Sequence, residues 1–515
     1  MAQETELKLL LQPTDLPRLL AHPLLAAAAP QRLRLLNTYF DTADLALMQQ
    51  RIAVRERRVG RRTLLTVKTA GTSVGGLSRR GEWEGPTRPG QHDFAALVDD
   101  AALAQQLTAL RPRLLPLFRT DFARRRWQLT HAGADIELAL DEGMIRTDGP
   151  TGQTPRQAAL LELELELLSG PVVALWSLAQ ALSRGDAGRE GLWLFPSDRS
   201  KAERGLALYR GEAPQPQRAL PSALRPGMHP VAAFRTAAQE ALAQWQANLQ
   251  GLLPPQGPQA LPDPEFIHQA RVALRRLRTA LKLFREHLPA EFVTRWSGFW
   301  QDTARTLGDA RDWDVLDERL MAWLTARARR GLPPDDMVAL ADWVLARRLA
   351  ANRSAAQQLL APALAQQLLA FAEAVQALPA PADEAEGHGL ADWAGDTLSR
   401  RLRGLLREAR RAHRLDLDGL HALRIRCKKL RYAQQGLQPL LQGRRQARLE
   451  ERLAVLVRTQ ERLGELNDLA TAQARLQACV LPEATVWRQQ LQRQQARILQ
   501  TLPQLQRELR QLARH

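Results

Sequence analysis

The stretch ETELKL (residues 4–9) decides the fold predicted for the first part of this 515-residue chain. Side chains alternate between the two faces of a β-strand, so Glu4, Glu6 and Lys8 share one face and the residues between them share the other. Similar alternation recurs in RLLNTYFDT (34–42), RIAVRERR (51–58), RTLLTVKTA (62–70), RRGEWEGP (79–86), TDFARRRWQL (120–129), ADIELALDEG (134–143) and ALLELELELL (159–168). Gly, Pro, Asp or Asn separates most of these segments, as is typical between strands. Eight strands are about the number that a closed antiparallel barrel needs.

The composition of the chain and the spacing of its apolar residues change after residue 210. Two helical stretches, near 94–110 and 171–184, fit between the strands, and the Pro-rich stretch 211–228 is typical of a linker. From residue 229 to 515, Leu, Ala, Arg and Gln dominate and apolar residues recur at helical spacing. We therefore predict an α+β protein with a domain at 1–210 formed by an eight-stranded antiparallel β-tunnel, a linker at 211–228 and an all-α domain at 229–515.

Composition and charge narrow the class of protein. The chain has two cysteines, Cys427 and Cys479, which suggest neither a disulfide framework nor a zinc cluster, and we expect a reducing cytoplasm. The sequence shows neither a secretory signal nor an apolar run long enough for a membrane span. The net charge is +17; residues 1–210 hold 28 Lys and Arg against 24 Asp and Glu, and the remainder holds 44 against 31. The second half should therefore attract polyanions.

The charged faces of the strands have two possible interpretations. Each face could be an ordinary solvated exterior, with polar side chains outside and apolar ones inside. Alternatively, the barrel is inverted: in LLELELELL the leucines would pack outward under helices, and Glu162, Glu164 and Glu166 would face the interior. An interior with both acids and bases suits a metal–polyphosphate ligand, because Lys and Arg bind phosphate and carboxylates bind a hard cation such as Mg²⁺.

The same residues carry a family resemblance. ETELK resembles the ExExK signature of the CYTH superfamily, the triphosphate tunnel metalloenzymes. The blocks VRERR, TVK, RRGEWE, IELALDEG, LELELEL and SKAERG resemble later blocks of that family, in order, across nearly all of residues 1–210. The resemblance implies an eight-stranded tunnel that attacks a triphosphate with the help of Mg²⁺ or Mn²⁺.

The resemblance also implies roles for individual residues. It implies catalysis by Glu4, Lys8 and Lys68, and phosphate binding by Lys8, Arg55, Arg57, Lys68, Arg80, Arg124, Lys201 and Arg204. It implies metal binding by Glu4, Glu6, Asp141 and the row Glu162, Glu164 and Glu166; which two of that row are ligands stays open. Glu56 falls on the other face of its strand from the arginines and is left out.

A basic helix occurs twice in the second half. HQARVALRRLR (268–278) and HALRIRCKKLR (421–431) share His, then bases at the same four later positions, and LGDARD (307–312) corresponds to LGELND (463–468). The offset is 153 positions for the histidines and 156 for the later motif, so two related helical bundles explain the order. On a helix, His268, Arg271, Arg275 and Arg278 fall within an arc of about 80° opposite the leucines. His421, Arg424, Lys428 and Arg431 repeat that arrangement.

These helices resemble the CHAD domain, a histidine-containing helical module often found beside CYTH domains. The resemblance covers about residues 230–515 and implies that the eight residues of the two stripes bind inorganic polyphosphate. A nucleic acid is the rival polyanion, but the stripes lack interleaved aromatic residues for base stacking, and Tyr432 is the only one nearby.

The two resemblances together predict a cytoplasmic enzyme, located at polyphosphate granules in one version of the hypothesis. It would be an inorganic triphosphatase that hydrolyses tripolyphosphate to pyrophosphate and phosphate, with a polyphosphate-binding module and no membrane partner. Two alternatives stay open. The tunnel could process an organic triphosphate, as an adenylate cyclase or a thiamine triphosphatase does, or the chain could chiefly dock on polyphosphate granules.

Overall fold

A computed structural model describes residues 2–27, 29–69, 71–150, 154–185, 191–252, 263–332, 337–359, 361–379, 389–409, 417–441 and 444–511. The chain forms two compact units. The first contains Met1–Gln215 together with Leu359–Ala377, and the second contains Pro216–Gln358 together with Leu378–His515.

The first unit is built on one antiparallel sheet. Its strands are β1 (Ala2–Leu11), β2 (Gln31–Asp41), β3 (Ala53–Val59), β4 (Arg62–Lys68), β5 (Thr72–Val74), β6 (Leu77–Thr87), β7 (Leu115–His131), β8 (Ala134–Thr147), β9 (Arg156–Ser169) and β10 (Leu194–Pro196). The strand order is β10-β1-β9-β8-β7-β2-β3-β4-β6-β5, and β1 also pairs with β6. Within the described residues this extra pairing closes eight strands into a barrel, with the short β5 and β10 beside it. The predicted eight-stranded antiparallel tunnel is therefore confirmed.

The helices fall into two groups. The first unit contains α1 (Leu16–Leu20), α2 (Pro23–Ala26), α3 (Ala46–Gln49), α4 (Phe94–Leu97), α5 (Ala101–Leu110), α6 (Val173–Ser183), α7 (Lys201–Arg210) and α12 (Pro362–Gln376). The second contains α8 (Pro230–Gln250), α9 (Pro264–Leu283), α10 (Ala290–Ala328), α11 (Val338–Leu359), α13 (Leu390–Ala409), α14 (Leu417–Leu437), α15 (Arg444–Leu476) and α16 (Pro482–Gln511). The predicted helix 94–110 is two helices, because Asp93 and Asp100 each cap a helix N-terminus with their side chains.

The barrel is inverted, as the leucine alternation suggested. Leu7, Leu9, Leu138 and Leu163 are 0% exposed and belong to a core cluster outside the barrel wall that also contains much of α6. Glu6, Lys8 and Asp141 point the other way and are also buried, at 3%, 4% and 0% exposure. Burying the leucines under helices supplies the hydrophobic stabilisation, about 25 cal/mol per Å² of apolar surface, that the charged interior cannot provide.

Helix α12 lies far along the sequence yet belongs to the first unit. Leu369 and Ala372 join the same core cluster as Leu175, Leu178 and Leu182 of α6. The side-chain amide of Gln366 donates to the carbonyl oxygen of Ser183 at 2.5 Å. The predicted domain of residues 1–210 would lack this helix, so the apolar face of α6 would lose part of its cover.

The second unit repeats one arrangement. A basic helix precedes a long helix twice: α9 precedes α10, which carries LGDARD, and α14 precedes α15, which carries LGELND. The two basic helices contact each other, and each contacts the long helix that follows it. The predicted all-α region of two repeated bundles is therefore confirmed.

Leu369→Ala should destabilise the first unit, because it removes a side chain that is 0% exposed from the contact between α12 and α6. The expected loss is about 2–5 kcal/mol in the free energy of unfolding. Hydrogen exchange read by mass spectrometry should show faster exchange of the amides of α6, with no change in α9. Gln367→Ala, at a partly exposed position of the same helix, is the matched control. Parent-like exchange in α6 of the Leu369 variant would show that α12 is not an integral part of this unit.

Candidate active site and anion groove

The interior of the barrel is a cavity of about 750 Å³ lined by opposite charges. Its lining includes seven of the eight predicted phosphate-binding residues: Lys8, Arg55, Arg57, Lys68, Arg80, Arg124 and Lys201. The eighth, Arg204, lies one helical turn after Lys201 and donates to Glu162 at 2.9 Å. Acids from several strands face these bases: Glu4, Glu82, Glu84, Glu137, Glu164 and Glu166.

Three carboxylates meet at one place in the wall. Among the described residues, oxygen atoms of Asp141, Glu162 and Glu164 lie within 4.8 Å of one another. Sheet register explains the convergence, because Asp141 of β8 stands directly opposite Glu162 of β9, and both point inward. Carboxylate oxygens in a buried group are the ligands that hard divalent cations prefer, so the donor set fits Mg²⁺ or Mn²⁺.

Lys201 lies at the centre of this acid cluster. Its ammonium group is 2.7 Å from Asp141 and 2.9 Å from Glu164, and it also donates to Glu162. Helix α7 positions it: Ser200 and Glu203 form a capping box that starts the helix at Lys201. The ring of Phe122 lies 5.4 Å from the same ammonium group.

The charges of this cluster depend on each other. Burial by itself would lower the pKa of Lys201, but Asp141, Glu162 and Glu164 outweigh it and hold that pKa above its usual range. Burial would likewise raise the pKa of Glu164, but Lys201 and Arg124 keep it well below its usual range. Arg124 reinforces the cluster with hydrogen bonds of 2.7 Å to Asp141 and Glu164.

A second charged group surrounds the N-terminal motif. Lys68 donates to both oxygens of Glu4, at 2.9 and 3.0 Å, and lies 2.8 Å from Glu82. Arg80 donates to Glu4 at 3.0 Å and to Glu6 at 2.5 Å. Lys8 is 2.8 Å from Glu6. The three predicted catalytic residues thus lie in one network of bases and acids.

Glu166 lies outside the three-carboxylate cluster. It stands opposite Glu6 of β1 on one side and Glu137 of β8 on the other, so three acids form a row across three strands. Burial and then the neighbouring Glu4, Glu137 and Glu6 raise the pKa of Glu166 to about 7. Of the predicted row, the structure therefore brings Glu162 and Glu164, and not Glu166, together with Asp141.

Several interior residues were missing from the predicted site. Glu84 lies 3.3 Å from Arg57, and Tyr39 accepts a hydrogen bond of 3.3 Å from Arg55. Asn37 accepts one of 3.1 Å from Arg57. Two-residue alternation along β2 and β6 was the available signal for all three. Glu56 lies on the other face, as predicted, and accepts from the amide of Gly90 at 2.7 Å.

The second unit contains a groove of about 1020 Å³ lined by both repeats. Six of the eight predicted stripe residues line it: His268, Arg271, Arg275, Arg424, Lys428 and Arg431. Arg278 and His421 are absent from the lining; Arg278 contacts Gln301, and His421 contacts Asn467, which does line the groove. The two stripes therefore share one groove, a juxtaposition that the sequence pattern could not show.

Two reciprocal ion pairs join the repeats: in each, an arginine of one repeat contacts an aspartate of the other. Arg475 of α15 contacts Asp312 of α10 at 3.5 Å, and Arg319 of α10 contacts Asp468 of α15 at 3.9 Å. The two arginines are 156 positions apart in the sequence, and so are the two aspartates, which is the offset of the repeated motif. Each aspartate also lines the groove, so the junction of the repeats runs along it.

The bases of the groove have few acidic partners. Burial and the neighbouring Arg275 lower the pKa of Arg271, and burial with Arg275 and Arg424 lowers the pKa of Lys428 to about 7. Among the described residues, buried nitrogen atoms of Arg271, Arg424 and Arg431 have no hydrogen-bond partner. Buried guanidinium nitrogens of this kind are costly unless an anion accepts from them.

Comparison with known proteins supports the same division of the chain. The CYTH domain model matches residues 2–185 and the CHAD domain model matches residues 236–477. The inorganic triphosphatase of Haemophilus influenzae is 33% identical over 211 residues, which are 40% of this chain and 55% of that protein. This chain thus spans only about half the length of that relative.

Two solved structures are also similar. The CHAD domain from the plant Ricinus communis is 27% identical, with a TM-score of 0.44, and the match covers 58% of this chain and 97% of that one. The putative adenylyl cyclase HpAC1 from Hippeastrum, whose structure is described as revealing a dominant triphosphatase activity, is 19% identical, with a TM-score of 0.29 and coverage of 41% and 97%.

None of the helices within the described residues combines the length and the apolar character needed to cross a membrane. The barrel, the repeated helices and the two domain matches agree with one another along the sequence. The chain carries a CYTH domain over residues 2–185 and a CHAD domain over residues 236–477.

Proposed function

We propose that the first unit is a metal-dependent inorganic triphosphatase that hydrolyses tripolyphosphate to pyrophosphate and phosphate. The observation that carries the proposal is the cavity inside the barrel, where lysines and arginines face carboxylates. A cavity lined only by bases would suit a bare anion, whereas this mixture suits a phosphate chain that enters with a divalent cation. The identity to an inorganic triphosphatase supports the same reaction class.

Each group of interior residues has a distinct role in this proposal. Lys8, Lys68 and Arg80 bind phosphate oxygens at one side of the cavity, and Arg55, Arg57 and Arg124 bind them elsewhere on the wall. Binding substrate replaces the ion pairs that these bases make with Glu4, Glu82 and Glu84. The freed carboxylates then accept hydrogen bonds from the attacking water and orient it toward the terminal phosphorus.

Asp141, Glu162 and Glu164 would hold the metal, and Glu4 and Glu6 of the neighbouring strand β1 are the further ligands proposed. A bound Mg²⁺ or Mn²⁺ would neutralise phosphate charge and lower the pKa of a coordinated water. Lys201 already supplies positive charge at the three carboxylates. With a metal held by these carboxylates, Lys201 would instead bind a phosphate oxygen, the role that the resemblance implies for it.

We also propose that the groove of the second unit binds long-chain polyphosphate. Unpartnered guanidinium nitrogens and lowered pKa values support binding of a dense, flexible anion. Nucleic acid is less suitable, because Phe284 and Tyr432, the aromatic residues of Phe, Tyr or Trp type in the groove lining, are only 1% and 7% exposed and offer little surface for base stacking.

Glu4→Gln and Asp141→Asn should each lower the turnover of tripolyphosphate by about 100-fold or more, the effect expected when one contact to the transition state is lost. Each change replaces a carboxylate with a neutral group of the same shape, so the barrel should still fold. Initial rates with tripolyphosphate, ATP, thiamine triphosphate and long polyphosphate, each with Mg²⁺ or Mn²⁺, are the measurement. Glu56→Gln, on the outer face of β3, is the matched control. Parent-like rates in a folded Asp141 variant, or a parent that prefers ATP or thiamine triphosphate, would contradict the assignment.

Lys201→Met should make the stability of the first unit depend on divalent cations. It leaves three buried carboxylates without their ammonium partner, and breaking a buried ion pair in this way costs about 3–5 kcal/mol. The melting temperature in EDTA should fall, and Mg²⁺ or Mn²⁺ should raise it more than in the parent. Arg210→Met, in the exposed last turn of α7, should show neither effect. An equal response to metal in the variant and the parent would argue against a metal site at these carboxylates.

Polyphosphate affinity of the groove should weaken as the pH rises through about 7, where Lys428 loses its charge. Lys428 faces Arg271 and Arg275 of α9, Arg424 of its own helix and Asp468 of α15, so like charges dominate its surroundings. The pKa of Lys428 is lower in the folded protein than in the unfolded chain. The charged lysine therefore destabilises the fold in full below about pH 7, and this loss of stability disappears as the pH rises from 7 to the pKa of a free lysine.

The test is a titration of the full chain with long-chain polyphosphate between pH 6 and 9. Lys428→Arg keeps its charge and should remove most of the pH dependence. Duplex DNA serves as competitor at physiological salt. A parent that binds DNA more tightly than polyphosphate at equal phosphate concentration would overturn the polyphosphate assignment, and an unchanged pH profile in the arginine variant would rule out Lys428 as its source.

A further inference from the structure

Tyr432 contacts one arginine from each repeat of the second unit. Its hydroxyl oxygen accepts a hydrogen bond from Arg275 of α9 at 2.6 Å and another from Arg431 of α14 at 3.1 Å. The same two guanidinium groups lie 5.0 and 4.9 Å from the centre of its ring. Tyr432 itself is 7% exposed and lines the groove. One neutral side chain therefore fixes the positions of two cationic ones.

Holding two arginines on one oxygen atom is electrostatically unfavourable unless an anion joins them. Two guanidinium cations repel more strongly in a partly buried groove than in water. The described residues show no carboxylate within ion-pair distance of Arg275 or Arg431, and one buried nitrogen of Arg431 has no partner. The arrangement of the two arginines therefore favours the binding of an anion between them.

The other repeat has no tyrosine at the position that corresponds to Tyr432. Arg275 corresponds to Lys428 and Arg278 to Arg431, and Thr279 occupies the position equivalent to Tyr432. Thr279 also lines the groove but has no guanidinium contact among the described residues. Tyr432 thus breaks the repeat symmetry at the place where it joins the two stripes.

We propose that Tyr432 is a positioning residue that joins Arg275 and Arg431 into one phosphate-binding centre shared by both repeats. This inference rests on the proposed binding of polyphosphate in the groove and names the residue that organises it. Both guanidinium groups lie about 5 Å from the centre of the ring, and the hydroxyl oxygen accepts an N–H of each. Neither arginine then loses much side-chain freedom when phosphate binds, so less free energy is spent on ordering them.

The hydroxyl proton of Tyr432 adds a direct contact. Its oxygen accepts from two N–H groups, which leaves its own proton free to be donated. No acceptor for that proton occurs among the described residues. A phosphate oxygen bound between Arg275 and Arg431 would lie within reach of it, so the phenol both orients the two cations and donates to the anion that they bind.

Tyr432→Leu tests this role, because it removes no charge. The full chain is titrated with long-chain polyphosphate at several salt concentrations, in EDTA so that the tunnel stays inactive. We expect Kd to rise about tenfold, because the two arginines are no longer held in position for phosphate. The slope of log K against log salt should become shallower by about 1.4, since two phosphate contacts are lost and each contributes about 0.7. Stoichiometry should stay that of the parent.

The control variants separate positioning from a general loss of structure. Tyr432→Phe keeps the ring and should recover part of the affinity, and Thr325→Val, at an exposed position of α10 outside the groove lining, should behave like the parent. Arg275→Ala should weaken binding strongly in the parent and little in the Tyr432→Leu background. A parent-like salt slope in Tyr432→Leu would overturn the inference even if Kd rises. A parent that binds no polyphosphate would overturn the proposed binding function as well.

Discussion

The structure of the first unit depends on charge compensation inside a closed barrel. An unpaired buried charge costs several kcal/mol, so a barrel can place many ionisable groups inside only if most of them face an opposite charge. Strand register provides this: Lys8 of β1 stands opposite Glu164 of β9, and Glu4 opposite Arg80 of β6. Glu166 faces Glu6 and Glu137 instead, and burial together with its acidic neighbours raises its pKa accordingly. The same alternation forces the leucines outward, and they need cover. Helices α6 and α12 supply it, so the charged interior and the distant α12 are consequences of one arrangement.

The pairing of opposite charges also explains how a ligand could replace the ion pairs inside the cavity. Under the proposed function, a phosphate chain with its metal carries both signs of charge, as the interior does. Phosphate oxygens would take the place of carboxylates at the bases, and Asp141, Glu162 and Glu164 would hold a metal in place of the Lys201 ammonium group. Lys201 illustrates the principle, because it occupies the three-carboxylate cluster where a divalent cation fits. The ligand then enters with little change in the number of uncompensated charges.

Local periodicity predicted some features well. Alternation placed Glu4, Glu6 and Lys8 on one face, and it also placed Glu56 on the opposite face from Arg55 and Arg57. Helical spacing likewise found the two basic stripes. The family resemblance added Lys201, which no period identifies because it lies at a helix start.

Features that depend on long-range packing could not be predicted in this way. The membership of α12 in the first unit follows from apolar contacts between segments almost two hundred residues apart. The reciprocal pairs of Arg319 with Asp468 and Arg475 with Asp312 need the relative placement of two repeats, which a sequence offset alone does not contain. Sequence alternation puts Glu162, Glu164 and Glu166 on one face and does not show which of them lie beside Asp141. Only the sheet register, which fixes the neighbours of each glutamate, shows that Glu162 and Glu164 do.

Two lysines show that the chain treats buried charge in opposite ways. Three carboxylates outweigh burial at Lys201 and raise its pKa, whereas burial and two neighbouring arginines lower the pKa of Lys428 to about 7. The acid cluster around Lys201 is thus electrostatically satisfied without a ligand, and a substrate must compete with existing ion pairs there. The groove is not, and an anion there relieves repulsion that is already present. Binding in the groove should therefore be governed by charge density, and binding in the tunnel by the fit of phosphate and metal to fixed partners.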